Sequence, residues 1–225
     1  MNYERVVNNE RKDKIMGKEM GESDGYEVFS VIDYPRLHPE CYYPQIGNGS
    51  GYDDCVYLML QQIVDNSVDE FLMGYGDRVE IYVDFASAEM RVRDYGRGMT
   101  LEWLNKVINP ARMACMAGMY SSDCNCEIHL PHLALICALS SHCLARTVRS
   151  GEYGQIVFER GNLVSNERGK CSDGEKNGFL FSWTPDSKII TGLSVVEDHI
   201  VNRIKKCAVA NPGMSFILNG DLVRA

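Results

Sequence analysis

Gln62-Ile63-Val64-Asp65-Asn66-Ser67-Val68-Asp69-Glu70 and, beginning 24 residues after Asp69, Arg93-Asp94-Tyr95-Gly96-Arg97-Gly98 are the stretches that decide how this chain is read. In the first, Gln62, Asn66 and Glu70 recur every four residues and Asp69 lies three after Asn66, so on an α-helix all four share one face. The opposite side carries Val56, Leu60, Val64, Val68 and Phe71, an apolar stripe suited to packing on a sheet. Taken alone, this is an ordinary amphipathic helix with a solvated acidic face. The second stretch places the Asp94 carboxylate at the end of a strand, with glycine beside it to let the backbone turn either way. Asp-x-Gly-x-Gly alone is a common turn; joined to the helix at this separation, it marks a site.

Working outward, the helix is expected to start near Asp53-Asp54, an acidic first turn, and to stop at Gly74. Val79-Glu80-Ile81-Tyr82-Val83 and Met90-Arg91-Val92-Arg93 alternate at period two and predict a hairpin through Phe85-Ala86-Ser87. A short helix is expected after Thr100, a helix over 133–139, and strands at 147–148 and 155–158 about the turn Ser150-Gly151-Glu152. A strand over 178–183, an amphipathic helix over about 194–209 and a strand over 215–218 close the chain. The prolines and glycines from Tyr34 to Gly51 predict an irregular loop, and residues 109–131, without a clear period, a second and longer one. Helices and strands in mixed order, with hairpins, favour an α+β fold: a two-layer α/β sandwich whose mixed sheet is covered by helices on one face. Residues 1–33, polar and charged at their start, read as a flexible N-terminal arm ahead of a single domain over 34–225.

Composition bounds the function classes. With 31 acidic and 23 basic residues the net charge is -8, which argues against the domain itself being a nucleic-acid clamp. No run approaches the roughly 20 apolar residues of a membrane span, and the N-terminus lacks the pattern of a signal peptide. The expectation is a cytoplasmic chain without membrane contact, its nine cysteines reduced thiols. Cys124, Cys126, His129 and His132 could supply four zinc ligands, but at a spacing tighter than usual zinc modules, so a loop with exposed thiols and imidazoles is the plainer reading.

The helix and the glycine turn together resemble the ATP-binding domain of type IIA topoisomerase B subunits, gyrase B and topoisomerase IV B, within the GHKL superfamily and its Bergerat fold. Asp65-Asn66-Ser67-Val68-Asp69-Glu70 is similar to the topoisomerase form of the first motif, and the likeness runs from about Tyr34 to Leu222. It takes in His38-Pro39-Glu40-Cys41-Tyr42, Ala138-Leu139-Ser140, Arg149-Ser150-Gly151 and Glu159-Arg160-Gly161. The resemblance implies ATP and magnesium as ligands. Asn66 would hold the magnesium that bridges the phosphates, Asp94 would accept from the adenine amino group, and Glu70 would pair with Arg97 beside the base. Gly98 and Met99 would line the adenine slot, with Asp69 and Tyr120 completing the implied nucleotide-binding set. Nucleotide-gated dimerisation for DNA strand passage is implied as well, with a homodimer formed through the N-terminal arm. DNA and the topoisomerase's other subunit type, the A subunits, would be partners through regions outside this chain.

The chain also departs from that pattern. The family's general base, a glutamate four residues before the magnesium asparagine, is Gln62 here, and an amide cannot take the proton. Gln61 does not substitute, because one helical step turns it about 100° away. The family's Gly-x-His-Gly-x-Gly loop aligns with Cys126-Glu127-Ile128-His129-Leu130-Pro131-His132, where Leu130 and His132 add bulk and Pro131 removes a donor. Met119 in Ala117-Gly118-Met119-Tyr120 stands at the lysine of the family's Gly-Gly-Lys-Tyr, and Asn177-Gly178-Phe179 replaces its Thr-Gly-Thr. The expectation is a degenerate nucleotide site with hydrolysis lost or impaired. The alternatives are a non-catalytic dimerisation or interaction module on the same fold, and an active ATPase in which Asp65 or Asp69 serves as base.

Overall fold

A computed structural model describes residues 32–109 and 132–224. The longest helix, α2 (Cys55–Leu72), buries Val56, Leu60 and Val64 of the predicted stripe together with Tyr57 and Ile63, holds Val68 and Phe71 partly buried, and leaves the Asn66 side partly open. Its entry is fixed by Asp54, 1% exposed, whose carboxylate accepts from the amides of Gly49 (2.8 Å) and Gly51 (3.0 Å). The loop is glycine-rich because it wraps this carboxylate: a Cβ on Gly47, at φ +60, would lie 2.0 Å from Asp54 Cγ.

The sheet has eight strands in the order β5-β4-β3-β6-β2-β1-β7-β8. β1 (Arg78–Val83) and β2 (Met90–Asp94) form the predicted antiparallel hairpin, with Val79 opposite Asp94. β1 also pairs in parallel with β7 (Ser215–Leu218), which makes the sheet mixed, and β8 (Asp221–Val223) closes that edge. β6 (Gly178–Pro185) lies between β2 and β3 (Ser140–Arg149), followed outward by β4 (Glu152–Glu159) and β5 (Asn162–Lys170). Helices α2, α4 (His132–Leu139) and α5 (Glu197–Ala210) cover one face; the strands bury Ile81, Val92, Phe181 and Phe216 beneath them and turn Tyr82 and Arg91 to the other side. This is the expected α+β arrangement. Among the described residues no helix is long and apolar enough to cross a membrane.

Several expectations are corrected. The loop predicted from Tyr34 begins instead with helix α1 (Asp33–Leu37) and a 3-10 turn (Pro39–Cys41). The helix is held by tertiary contacts that local sequence does not carry: Arg36 donates to the Ala138 carbonyl (2.6 Å) and to Asp186 Oδ2 (2.5 Å). β3 starts at Ser140, directly at the end of α4, far ahead of the expected 147–148. β5 has no counterpart among the expected strands, because it is exposed along nearly its whole length and so has no period-two signal. Cys137 and Cys143, expected as thiols, are bonded to each other where α4 runs into β3. The arm over 1–31, the glycine-loop segment up to Pro131, and Met119 and Tyr120 lie outside the described residues.

Candidate functional site

The C-terminal half of α2, the end of β2 with its glycine turn, helix α3 (Leu101–Val107), the end of β3 and the start of β6 enclose a cavity of about 360 Å³. Asn66, Asp69, Glu70, Asp94, Arg97, Gly98 and Met99 all line it, so the two sequence stretches do converge. Gln62 is not in the lining. It sits one helical turn earlier, where the hydroxyl of Tyr43, itself 2% exposed, donates to its Oε1 at 3.0 Å. Burial pushes the Tyr43 hydroxyl far above its ordinary range, so this phenol stays a donor and fixes the amide in place. Asp65 does not line the cavity either and accepts from Gln61 Nε2 at 2.6 Å.

Asp94 is the most buried charged group lining the cavity, 6% exposed. The amides of Gly96 (2.9 Å) and Phe179 (3.1 Å) both donate to its Oδ1, and no described residue donates to Oδ2. Burial raises its carboxyl above the usual aspartate range, opposed by these two amides. Glycine is required on both sides of this carboxylate. At Gly178, φ +138, a Cβ would lie 2.2 Å from the Asp94 carbonyl oxygen; at Gly98, φ +72, it would lie 2.2 Å from the Val148 carbonyl oxygen, where β3 crosses the turn.

Glu70 and Arg97 form the predicted pair with fork geometry: Arg97 Nη2 to Oε1 is 2.8 Å, Nε to Oε2 is 3.2 Å, and the Arg97 amide adds a bond to Oε2 at 3.0 Å. The Arg97 side chain holds the Glu70 carboxyl below its ordinary range despite partial burial. Its guanidinium also lies 4.1 Å from the centre of the Tyr75 ring. Asn66 makes no hydrogen bond with any described residue, so its carboxamide oxygen is available to a ligand on the same wall as Asp69. A hard neutral oxygen next to a carboxylate suits magnesium. Where they are described, the residues present fit the implied ion.

The cavity also uses residues outside the implied nucleotide-binding set. Thr147 Oγ1 accepts from the Met99 amide (2.8 Å) and donates to its carbonyl (3.0 Å), clamping this cavity-lining residue to β3. Arg149 Nη1 donates to the Gly98 carbonyl at 2.9 Å, while Met73, Thr100, Trp103 and Phe179 complete the lining. Only the register of β3 against β6 brings Thr147 and Phe179 together, and that register has no local sequence signal. Of the four zinc candidates only His132 is described, at the start of α4, and no group of three or more metal-ligating residues exists among the described residues.

No protein-family model matches the chain. It is 32% identical over 198 residues to the B subunit of DNA topoisomerase 4 from Borreliella burgdorferi, a match covering 87% of this chain and 32% of that protein. It is 23% identical over 199 residues to the B subunit of DNA gyrase from Streptococcus pneumoniae, covering 84% of this chain and 30% of the relative. Among solved structures, the 43K ATPase domain of Thermus thermophilus gyrase B, in complex with an aminocoumarin, superposes with a TM-score of 0.66 at 20% identity, covering 87% of this chain and 51% of that one. The chain thus spans about a third of the length of these curated relatives. With its mixed sheet and helical layer, it is a homologue of the B subunits of type II DNA topoisomerases and has the fold of the gyrase B ATPase domain.

Proposed function

We propose that this domain binds the adenine moiety of a nucleotide and does not hydrolyse it, serving as a nucleotide-responsive dimerisation module of a topoisomerase-like assembly. The observation that carries the reading is Asp94. It is a buried carboxylate with one oxygen saturated by two backbone amides and the other free of donors among the described residues, which suits recognition of an exocyclic amine. Loss of hydrolysis is supported by Gln62, whose amide occupies the general-base position of the resembling family and is engaged by Tyr43. Asn66 and Asp69 would hold magnesium, which when bound would neutralise phosphate charge. Glu70 and Arg97 brace the turn beside the base, and Met99, clamped by Thr147, forms part of its slot. A homodimer through the N-terminal arm, with the A subunits and DNA engaged through other regions, belongs to the same proposal.

Calorimetric titration of the purified chain tests the binding. Adenosine and ATP with magnesium are expected to bind with similar, weak affinity, and Asp94→Asn, which turns one acceptor oxygen into a donor, is expected to abolish both. A hundredfold advantage of ATP over adenosine, about 2.7 kcal/mol, would show that phosphate recognition is intact and contradict the reading.

A further inference from the structure

Helix α3 is anchored without its tryptophan. Thr100 caps it, accepting from the Trp103 amide at 3.2 Å, and Leu104 is fully buried. Leu101 fits against Gly154, where a Cβ would lie 2.0 Å from its Cδ2. Asn166 Nδ2 donates to Asn105 Oδ1 at 2.8 Å, tying the helix to β5. The Trp103 indole takes part in none of these contacts. It is 55% exposed and lines the same cavity as Asp94, whereas Trp183, the other tryptophan of the chain, is fully buried. A large flat apolar group is costly to leave in water, and here it borders a cavity whose lining also includes Met73, Met99 and Phe179.

We propose that Trp103 is the stacking platform of the pocket: the heterocycle whose amine reaches Asp94 lies with its π-face on the indole. This rests on the nucleotide reading above and adds a specificity-determining residue to it. The cavity lining sets Asp69, Glu70 and Asp94 against Arg97 and Arg149, and Arg97 is already paired with Glu70. Recognition by the described walls therefore comes from an acceptor for an N–H group and from an aromatic face, which together select an uncharged planar amino-heterocycle such as adenosine.

The test uses the full chain, adenosine as probe, and both calorimetry and tryptophan fluorescence. Adenosine is expected to protect Trp103 from acrylamide quenching with the midpoint that calorimetry gives. Trp103→Ala is expected to weaken adenosine about tenfold, the scale of one base–aromatic stack, and Trp103→Phe to recover part of that loss. Melting temperatures of both variants should stay near wild type, since the side chain is more than half exposed. If wild type binds adenosine and Asp94→Asn abolishes binding, yet Trp103→Ala binds within about twofold of wild type and quenching is unchanged, the platform is refuted while the pocket reading stands. If wild type gives no adenosine heat at all, the pocket reading fails and the platform with it.

Discussion

Asp94 sets its proposed role in binding against the stability of the fold. Its carboxyl titrates above the usual aspartate range because burial disfavours the charge. A carboxyl whose pKa is raised on folding contributes stability that is full below its unfolded pKa, about 3.9, and lost as pH rises through the folded value. At neutral pH the buried charge therefore weakens the fold. Asp94→Asn keeps an Oδ1 to accept from Gly96 and Phe179 and removes the charge, so it should melt higher at neutral pH. A rise on the order of 2–4 °C corresponds to about 1 kcal/mol in a domain of this size. The advantage should shrink as pH falls through the folded value and be gone below about 4. Thermal melts across pH check this; an Asp94→Asn protein less stable than wild type at neutral pH would show that the two amides more than offset burial.

Among the elements, α1 owes its place to a charge cluster. Asp186 is 1% exposed, paired with Arg36 at 2.5 Å and Arg160 at 3.2 Å. Burial pushes its carboxyl up, but the Arg36 bond, the Lys188 amide and the charges of Arg36 and Arg160 outweigh it and hold the group low. A depressed pKa gives stability that is present above the unfolded value and lost as pH falls through the folded one. Arg36→Ala should cost about 1.5–3 kcal/mol, the range for hydrogen bonds to charged groups, measured by denaturant unfolding at neutral pH and fading in acid. Arg160→Ala, half-exposed, should cost about 1 kcal/mol or less. Equal losses from the two would mean that burial does not decide the strength of this pair. The same elements show what a sequence reveals. Helix α2 and the β1–β2 hairpin were legible because their side chains alternate between core and water with a fixed period. Helix α1 was not, because Arg36 reaches Asp186, 150 positions away, and β5 was not, because exposure on both faces erases the period.

At the scale of the whole molecule, two short motifs determined most of the site, since Asn66, Asp69, Glu70, Asp94, Arg97, Gly98 and Met99 fall on one cavity. Thr147 and Arg149 enter through the register of β3, which acts over long separations; Trp103 enters on the short helix after Thr100, and Phe179 at the start of β6, with no local pattern that points either side chain into the cavity. Whether the assembled pocket still turns over ATP is the central question. A general base typically contributes about 10² to 10⁴ in rate, but only when the substrate is held where the base can act. Gln62→Glu alone should therefore leave the chain inactive, and adding Leu130→Gly and His132→Gly should be the minimum repair. The most direct measurement is phosphate release from ATP with magnesium by wild type, these two variants and an Asn66→Ala control. Wild type and Gln62→Glu are expected to release no more phosphate than Asn66→Ala. Clear magnesium-dependent turnover by wild type above that control would contradict this and assign the base to another carboxylate; of the two candidates, Asp65 and Asp69, it is Asp69 that lines the cavity.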